Sequence, residues 1–536
     1  MNWKKILVIV LTMLLAIGLS GCGGSKETVK TGKVEQLIRY NIGAEPETLD
    51  PVKMTGLPEG TIENALFEGL VRYDAKSKLI PGIADSWSIS PDQLVYTFKL
   101  RDAKWSNGDL VTAEDFKFAW LRALDPNMAS DYAYQLYYIK GAEAYNAKKG
   151  KAEDVAIKVI DPKTLEVTLN APTSQFLGLA AFQTLYPVNK KVVEAHSDWH
   201  TSPVNFVSNG PFKLEKWERK QKITLAKNPN YWDAGNVKLE KLEIYPIEDD
   251  STAYTMYKTG KLDFIESVPT QEIPKLKGTP EYSVNPDVSI YFYRYNVKKK
   301  PFDNPKVRKA LAMAIERTPI VENITQAGQK PAFAFVPFGF VDADGKDFRE
   351  NAGNSYFKED IAAAKKLLAE AGYPDGKGFP KVSILFNTQP EHQKIAEAIQ
   401  AMWKKNLGVD IGISNKEWQV YLKDQQELNY DISRFGWSPD YLDPISFIDM
   451  FVTDGGNNNT GWSNAKYDEF VKQAKSTGDQ VIRMQAMHDA ETILMNEMPV
   501  APIFFYTNPN LMKTNIKGVA VPSFGFCAEF KWAYVE

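Results

Sequence analysis

The sequence predicts an α/β protein of two hinged lobes with an extra domain, built on mixed sheets, and three observations carry that prediction. First, 536 residues exceed what one hydrophobic core organises, so two or three domains are expected. Second, residues 382–435 alternate strand and helix patterns at lengths that call for parallel strands joined by right-handed crossovers. Third, two aromatic strands, Ile290–Asn296 and Ile503–Asn508, bracket that region, as expected where a chain enters and leaves a second lobe through neighbouring strands. A lobe tied on by two strands can rotate as a unit.

The composition narrows the function classes. A hydrophobic content of 44% with 24% charged residues is that of an ordinary globular protein. The net charge of -3 gives no basis for nucleic-acid binding or a polybasic membrane surface. With 12 Trp, 25 Tyr and 28 Phe, there are aromatics enough to line a large amphipathic cleft as well as a core.

Taken in order, the chain opens with Lys4 and Lys5 ahead of an apolar run, Ile6 to Leu19, that matches an export signal and is short for a membrane span. Leu19-Ser20-Gly21-Cys22 resembles a bacterial lipobox, which implies cleavage before Cys22 and lipid on its sulfur. Residues 1–21 are then a lipoprotein signal peptide and 22–34 a lipid-anchored tether, polar and rich in Gly, Ser and Lys. Cys527 is left alone in the mature chain, so no disulfide is expected. Gln36–Ile42 reads as a strand, and a helix-like segment follows around Ile62, Leu66 and Leu70.

Between residues 83 and 120 the pattern is a half-buried strand (Tyr96, Phe98, Leu100), an Asn107-Gly108 turn, and a helix opened by Thr112 and Asp115 in a capping box. Further strands are expected at 155–160, 165–169, 212–217, 223–227 and 239–245. Asn304-Pro305 starts a helix, and another ends at Gly372. Then Val382–Phe386 is a strand and His392–Asn406 a helix stopped by Gly408. Val409, Ile411 and Ile413 mark a strand, Glu417–Leu428 a helix, and Tyr430–Phe435 a third strand.

In such a unit the strand-to-helix turns emerge on one rim, where ligands of open α/β sheets bind. That rim collects 387–392, 415–418 and 434–440, hence His392, Trp418, Arg434, Trp437 and Asp440. Gly436, Pro439 and Pro444 predict that Arg434–Pro444 is an exposed irregular turn.

Catalysis is a poor use of this set. G-x-S-x-G, H-E-x-x-H and P-loop motifs are absent from the sequence, and His196 and His200, though four apart, lack the Glu of a zinc peptidase between them. No catalytic residue, metal or other cofactor is expected. A zwitterionic peptide suits the set better: Asp440 for the ammonium, Arg434 and His392 for the carboxylate, Trp437 and Trp418 as pocket walls. Gly436, Ser438 and an opposing loop, Thr55-Gly56-Leu57, would lend backbone groups to an extended peptide.

Ala84-Asp85-Ser86-Trp87, Lys104-Trp105-Ser106-Asn107-Gly108 and Val111-Thr112-Ala113-Glu114-Asp115-Phe116 resemble the signature of the bacterial extracellular solute-binding proteins, family 5, which bind peptides and nickel. Over nearly the whole mature chain the sequence is similar to the oligopeptide receptors of ABC importers, most specifically in Arg434-x-Gly436-Trp437-x-x-Asp440-Tyr441. The resemblance implies a periplasmic-binding-protein-like fold (type II, cluster C). It implies domain I at 35–67, 191–293 and 507–536, domain II at 68–190, and domain III at 294–506. It further implies that Asp440 holds the ligand's α-amino group, that Arg434 and His392 meet its carboxylate, and that Tyr132 joins the two Trp as a pocket wall. The partners implied are short peptides, a membrane permease, and the membrane itself through the lipid only. The chain would be monomeric, outside the cytoplasm, on the outer face of the cell membrane. Two departures bear on peptide length and charge preference: Thr55 replaces an acidic residue and Gln425 a pocket arginine. Tyr291 and Tyr293 fit either the cleft or the hinge core. Rival readings are a receptor of the same fold for dipeptides, murein peptides or nickel chelates, and a secreted hydrolase.

Overall fold

A computed structural model describes residues 34–536 apart from Ser174 and Asn354. The signal peptide, Cys22 and the tether as far as residue 33 lie outside the described residues. Among the described residues, eleven strands form one mixed sheet. Its order is 412–416, 383–387, 432–437, 282–295, 500–512, 264–265, 37–41, 241–245, 222–227 and 212–218, with Lys330–Pro331 attached to 500–512.

The two aromatic strands lie side by side. Tyr282–Tyr295 and Val500–Met512 pair antiparallel through Ile290↔Phe505 and Tyr291↔Phe504, with a register shift between Pro286 and Ile290. Ile290 to Tyr295 are all buried. Burial without alternation means that both faces of this strand are covered, which is why its aromatics run unbroken.

Strand 383–387 pairs parallel with both 412–416 and 432–437, giving the crossover unit expected from the sequence. Its first helix, Pro390–Leu407, has Pro in the first turn and ends at Gly408, whose φ of 71° only glycine adopts freely. One strand is displaced from its expected place: Val409 and Ile411 are buried in the connection, and the strand itself is Gly412–Lys416. Their apolar alternation reports a loop packed on the core. The true strand sits at the sheet edge, mostly exposed, and Ile413 is its only apolar side chain.

Ala84–Ile89, Val95–Leu100, Thr164–Thr168 and Ile157–Asp161 form a separate four-stranded antiparallel sheet. Tyr96, Phe98 and Leu100 are among its buried positions. The Asp115 carboxylate accepts the Thr112 backbone N–H at 2.8 Å, closing the first turn of helix Ala113–Leu124. Phe116, Trp120 and Ala123 bury that helix against the core. The helix expected around Ile62 to Leu70 is Leu57–Leu66, entered through Gly56. His196 ends helix Lys190–Ala195 and His200 lies beyond it, so the pair shares no helix face. Among the described residues no helix is long and apolar enough to cross a membrane.

Candidate functional site

Strand Ile432–Trp437 carries the centre of the site and corrects the expectation of an exposed turn. Tyr293↔Arg434, Tyr291↔Gly436 and Ile290↔Trp437 face one another in an antiparallel ladder, so Arg434 to Trp437 are strand. Arg434, Trp437 and Asp440 are buried. Gly436 marks close packing: a Cβ there would lie 3.0 Å from Tyr506 Oη and 3.3 Å from Arg434 Nη2. Pairing with a buried neighbour satisfies backbone groups that would otherwise be orphaned, and this outweighs the turn preference of Gly and Pro.

The strand pairs with 383–387 only through Ile432 and Ser433. From Arg434 onward its second edge therefore faces no strand among the described residues. A cavity of about 330 Å³ is lined by Arg434, Gly436, Trp437, Ser438 and Asp440 from this segment and by His392 and Trp418 from the two neighbouring turns. Thr55, Gly56, Leu57 and Tyr132 complete the group. All eleven residues singled out from the sequence in 34–536 thus meet at one cavity.

Each is held by identifiable contacts. Gln135 Nε2 donates to Asp440 Oδ2 at 2.5 Å, and the Asp440 backbone N–H donates to Ser446 Oγ at 2.9 Å. Burial lifts the Asp440 carboxyl well above the carboxylate range, against hydrogen bonds from Tyr132, Ser446 and Gln135 that favour the ionised form. Arg434 donates through Nη1 to Asn387 Oδ1 at 3.2 Å and through Nη2 to Tyr506 Oη, and its guanidinium lies 4.7 Å from the Tyr291 ring centre. Burial acts to discharge it, but the surrounding tyrosines outweigh that and hold it charged. Its Nε has no partner. His392 is only 4% exposed. Burial first, then Arg434, drives its pKa well below the ordinary value, so the imidazole is neutral and its Nδ1 is unpartnered.

The aromatic walls follow the same logic. Trp437 Nε1 donates to Ser446 O at 2.9 Å, and its ring stacks on Tyr132 with centres 6.2 Å apart. The Trp418 ring stacks on Tyr421 at 6.0 Å. Across from it, a Cβ at Gly56 would come 2.2 Å from Glu59 Oε2 and 3.0 Å from Trp418 Cζ2. Glycine there lets the N-terminal loop approach the Trp. Ser438 Oγ accepts the Gly525 N–H at 3.1 Å. Tyr291 and Tyr293 are buried in the core and do not line the cavity. Gln425 is buried too, its Oε1 accepting from Arg294 Nη1 at 3.0 Å.

Sequence reasoning missed Asp250, Glu266, Asp287, Tyr506 and Cys527, which also line the cavity. Glu391 was inside the turn 387–392 but not singled out. Tyr506 lies on a strand whose aromatic run was visible. Asp287 and Glu266 arrive through pairing between distant strands, so no local pattern points to them.

The family described as bacterial extracellular solute-binding proteins, family 5 Middle, matches residues 78–459. The oligopeptide-binding protein OppA of Bacillus subtilis is 42% identical, over 98% of this chain and 98% of its own. Listeria monocytogenes OppA bound to peptide is 32% identical and superposes with a TM-score of 0.89, over 94% of this chain and 99% of that one. The Escherichia coli murein tripeptide binding protein MppA, 34% identical, gives 0.87 over 94% of this chain and 99% of its own. The unliganded open form of MppA, also 34% identical, gives 0.62 over 94% and 98%.

Proposed function

The chain belongs to the bacterial extracellular solute-binding proteins of family 5, and from that premise we propose that it captures short peptides in this cavity and delivers them to the membrane permease of an ABC importer. One observation carries the reading: a buried carboxyl, Asp440, and a buried guanidinium, Arg434, line a single cavity, and among the described residues neither is ion-paired. A zwitterionic peptide supplies both missing partners, each charge-assisted bond contributing roughly 1.5 to 3 kcal/mol. Its ammonium restores the ionised form of Asp440, and its carboxylate meets Arg434, with neutral His392 as a hydrogen-bonding neighbour.

The open edge of 434–437 accepts an extended peptide as an added strand, so the main chain supplies affinity without selecting a sequence. Trp437, Trp418 and Tyr132 wall the side-chain spaces. Lobes I and III, joined through the strands 282–295 and 500–512, close over the ligand by hinge rotation, and the extra domain II brings Tyr132 and Gln135. The difference between TM-scores of 0.87 and 0.62 for the two forms of MppA supports a closed arrangement for this chain. No catalysis or cofactor is needed for this task. Lipid on Cys22 would keep the receptor on the outer face of the cell membrane, as a monomer beside its permease.

A murein peptide is the second reading, favoured by the likeness to MppA. Calorimetric titration with tri-, tetra- and pentapeptides, a dipeptide, a murein tripeptide and a nickel chelate decides among these. Tightest binding of plain three- to five-residue peptides is the expected result. Binding of the chelate alone, or turnover of peptide during the titration, would overturn the proposal.

A further inference from the structure

The cavity is lined by six carboxyl groups, Glu248, Asp250, Glu266, Asp287, Glu391 and Asp440, against one arginine, Arg434. Among the described residues none of the six makes an ion pair. Lys394, whose charge acts on both Asp250 and Glu391, has its ammonium on Thr270 Oγ1 at 3.2 Å and Gln271 Oε1 at 3.4 Å. A free peptide's own termini neutralise Asp440 and Arg434 and leave the others as they were. Burying carboxylates beside one another without cations is unfavourable, and the imbalance is relieved by taking up protons or by a ligand with further positive charge.

Two of the five stand out by their surroundings. Asp287 Oδ1 has no hydrogen-bond partner, and Glu391 feels the charges of both Asp250 and Arg434. Both line the cavity with Tyr506, the residue that holds the Arg434 guanidinium, and both act on its hydroxyl electrostatically. Glu266, by contrast, already accepts from the Tyr40 hydroxyl and the Cys527 thiol. The unpartnered Nδ1 of His392 and Nε of Arg434, both on residues more than nine-tenths buried, mark the same space as one that a polar ligand completes. Burial raises Glu391 to about 7, against Arg434 and Lys394, and raises Asp287 to about 6.

We infer that the cleft selects peptides bearing basic side chains, with Asp287 and Glu391 receiving the side-chain cations. This rests on the peptide-binding reading and adds a charge preference to it. Arginine and lysine side chains gain a charged partner in a water-poor space, whereas acidic side chains add to the existing repulsion.

The test is calorimetry on the full chain with four tetrapeptides: Ala-Lys-Lys-Ala, the same peptide with both lysines Nε-acetylated, Ala-Ala-Ala-Ala and Ala-Glu-Glu-Ala. The lysine peptide is expected to bind at least about tenfold tighter than its acetylated isostere, and the glutamate peptide weakest of all. That ratio is expected to fall toward one in the double variant Asp287→Asn, Glu391→Gln, or to fall partway in Glu391→Gln alone if the double variant does not fold. A ratio near one in the unsubstituted protein overturns the charge preference while tetra-alanine binding leaves the peptide reading standing. An undiminished ratio in the folded variants overturns the assignment to these two residues. Failure of all four to bind overturns both.

Discussion

Asp440 and Asp443 stand on the same buried loop and are treated in opposite ways. Asp443 receives a bidentate clasp from Arg483, with Nη1 on Oδ2 at 2.9 Å and Nη2 on Oδ1 at 2.7 Å. Asp440 receives only neutral donors. A second buried pair is as thorough: Arg349 Nη1 lies 2.5 Å from Glu491 Oε1, which also accepts the backbone N–H groups of Phe335 and Val336. A chain that can place a guanidinium beside a buried carboxylate has left Asp440 without one. Because Asp440 also lines the cavity, the difference marks it as a place that a ligand can complete.

Breaking the paired side should have the larger effect on folding. Arg483→Ala strands Asp443 as an uncompensated buried acid, which costs about 3–5 kcal/mol of stability and leaves peptide affinity nearly unchanged. Denaturant unfolding together with calorimetric titration checks both halves. Loss of affinity at full stability would show instead that Asp443 belongs to the binding set.

The unpaired side predicts a smaller effect of unusual sign. Burial first, then Asp250, raises Glu391 from 4.5 to about 7, with Arg434 and Lys394 acting against the shift. The folded state then holds this proton more tightly than the unfolded one, so the stability it brings is present below pH 4.5 and is lost as pH rises toward about 7. Glu391→Gln should remove that part of the fall in melting temperature of the unliganded protein between those pH values. Scanning calorimetry of the two proteins across that window, showing parallel curves, would refute it.

Much of this was legible in the chain itself, and the gaps have physical causes. The alternation at 382–435 located the rim, because parallel crossovers leave little topological freedom. That alone puts His392, Trp418, Arg434 and Asp440 together. Gly436 misled, since a glycine needed for close approach to Tyr506 looks, in sequence, like one needed for a turn. Val409 and Ile411 misplaced a strand because buried loops are apolar too. Asp287 and Glu266 were invisible: their place on the cavity is set by partners far away in the chain, and an isolated acid carries no periodicity.

The central claim is that Asp440 is left unpaired for a ligand ammonium, and a two-by-two cycle tests it most directly. Unmodified and N-acetylated tripeptide are titrated into the unsubstituted protein and into Asp440→Asn. Acetylation should weaken binding to the unsubstituted protein by about ten- to a hundredfold and cost little in the variant, because the same contact is already gone. An equal penalty in both proteins would mean that the ammonium is held elsewhere.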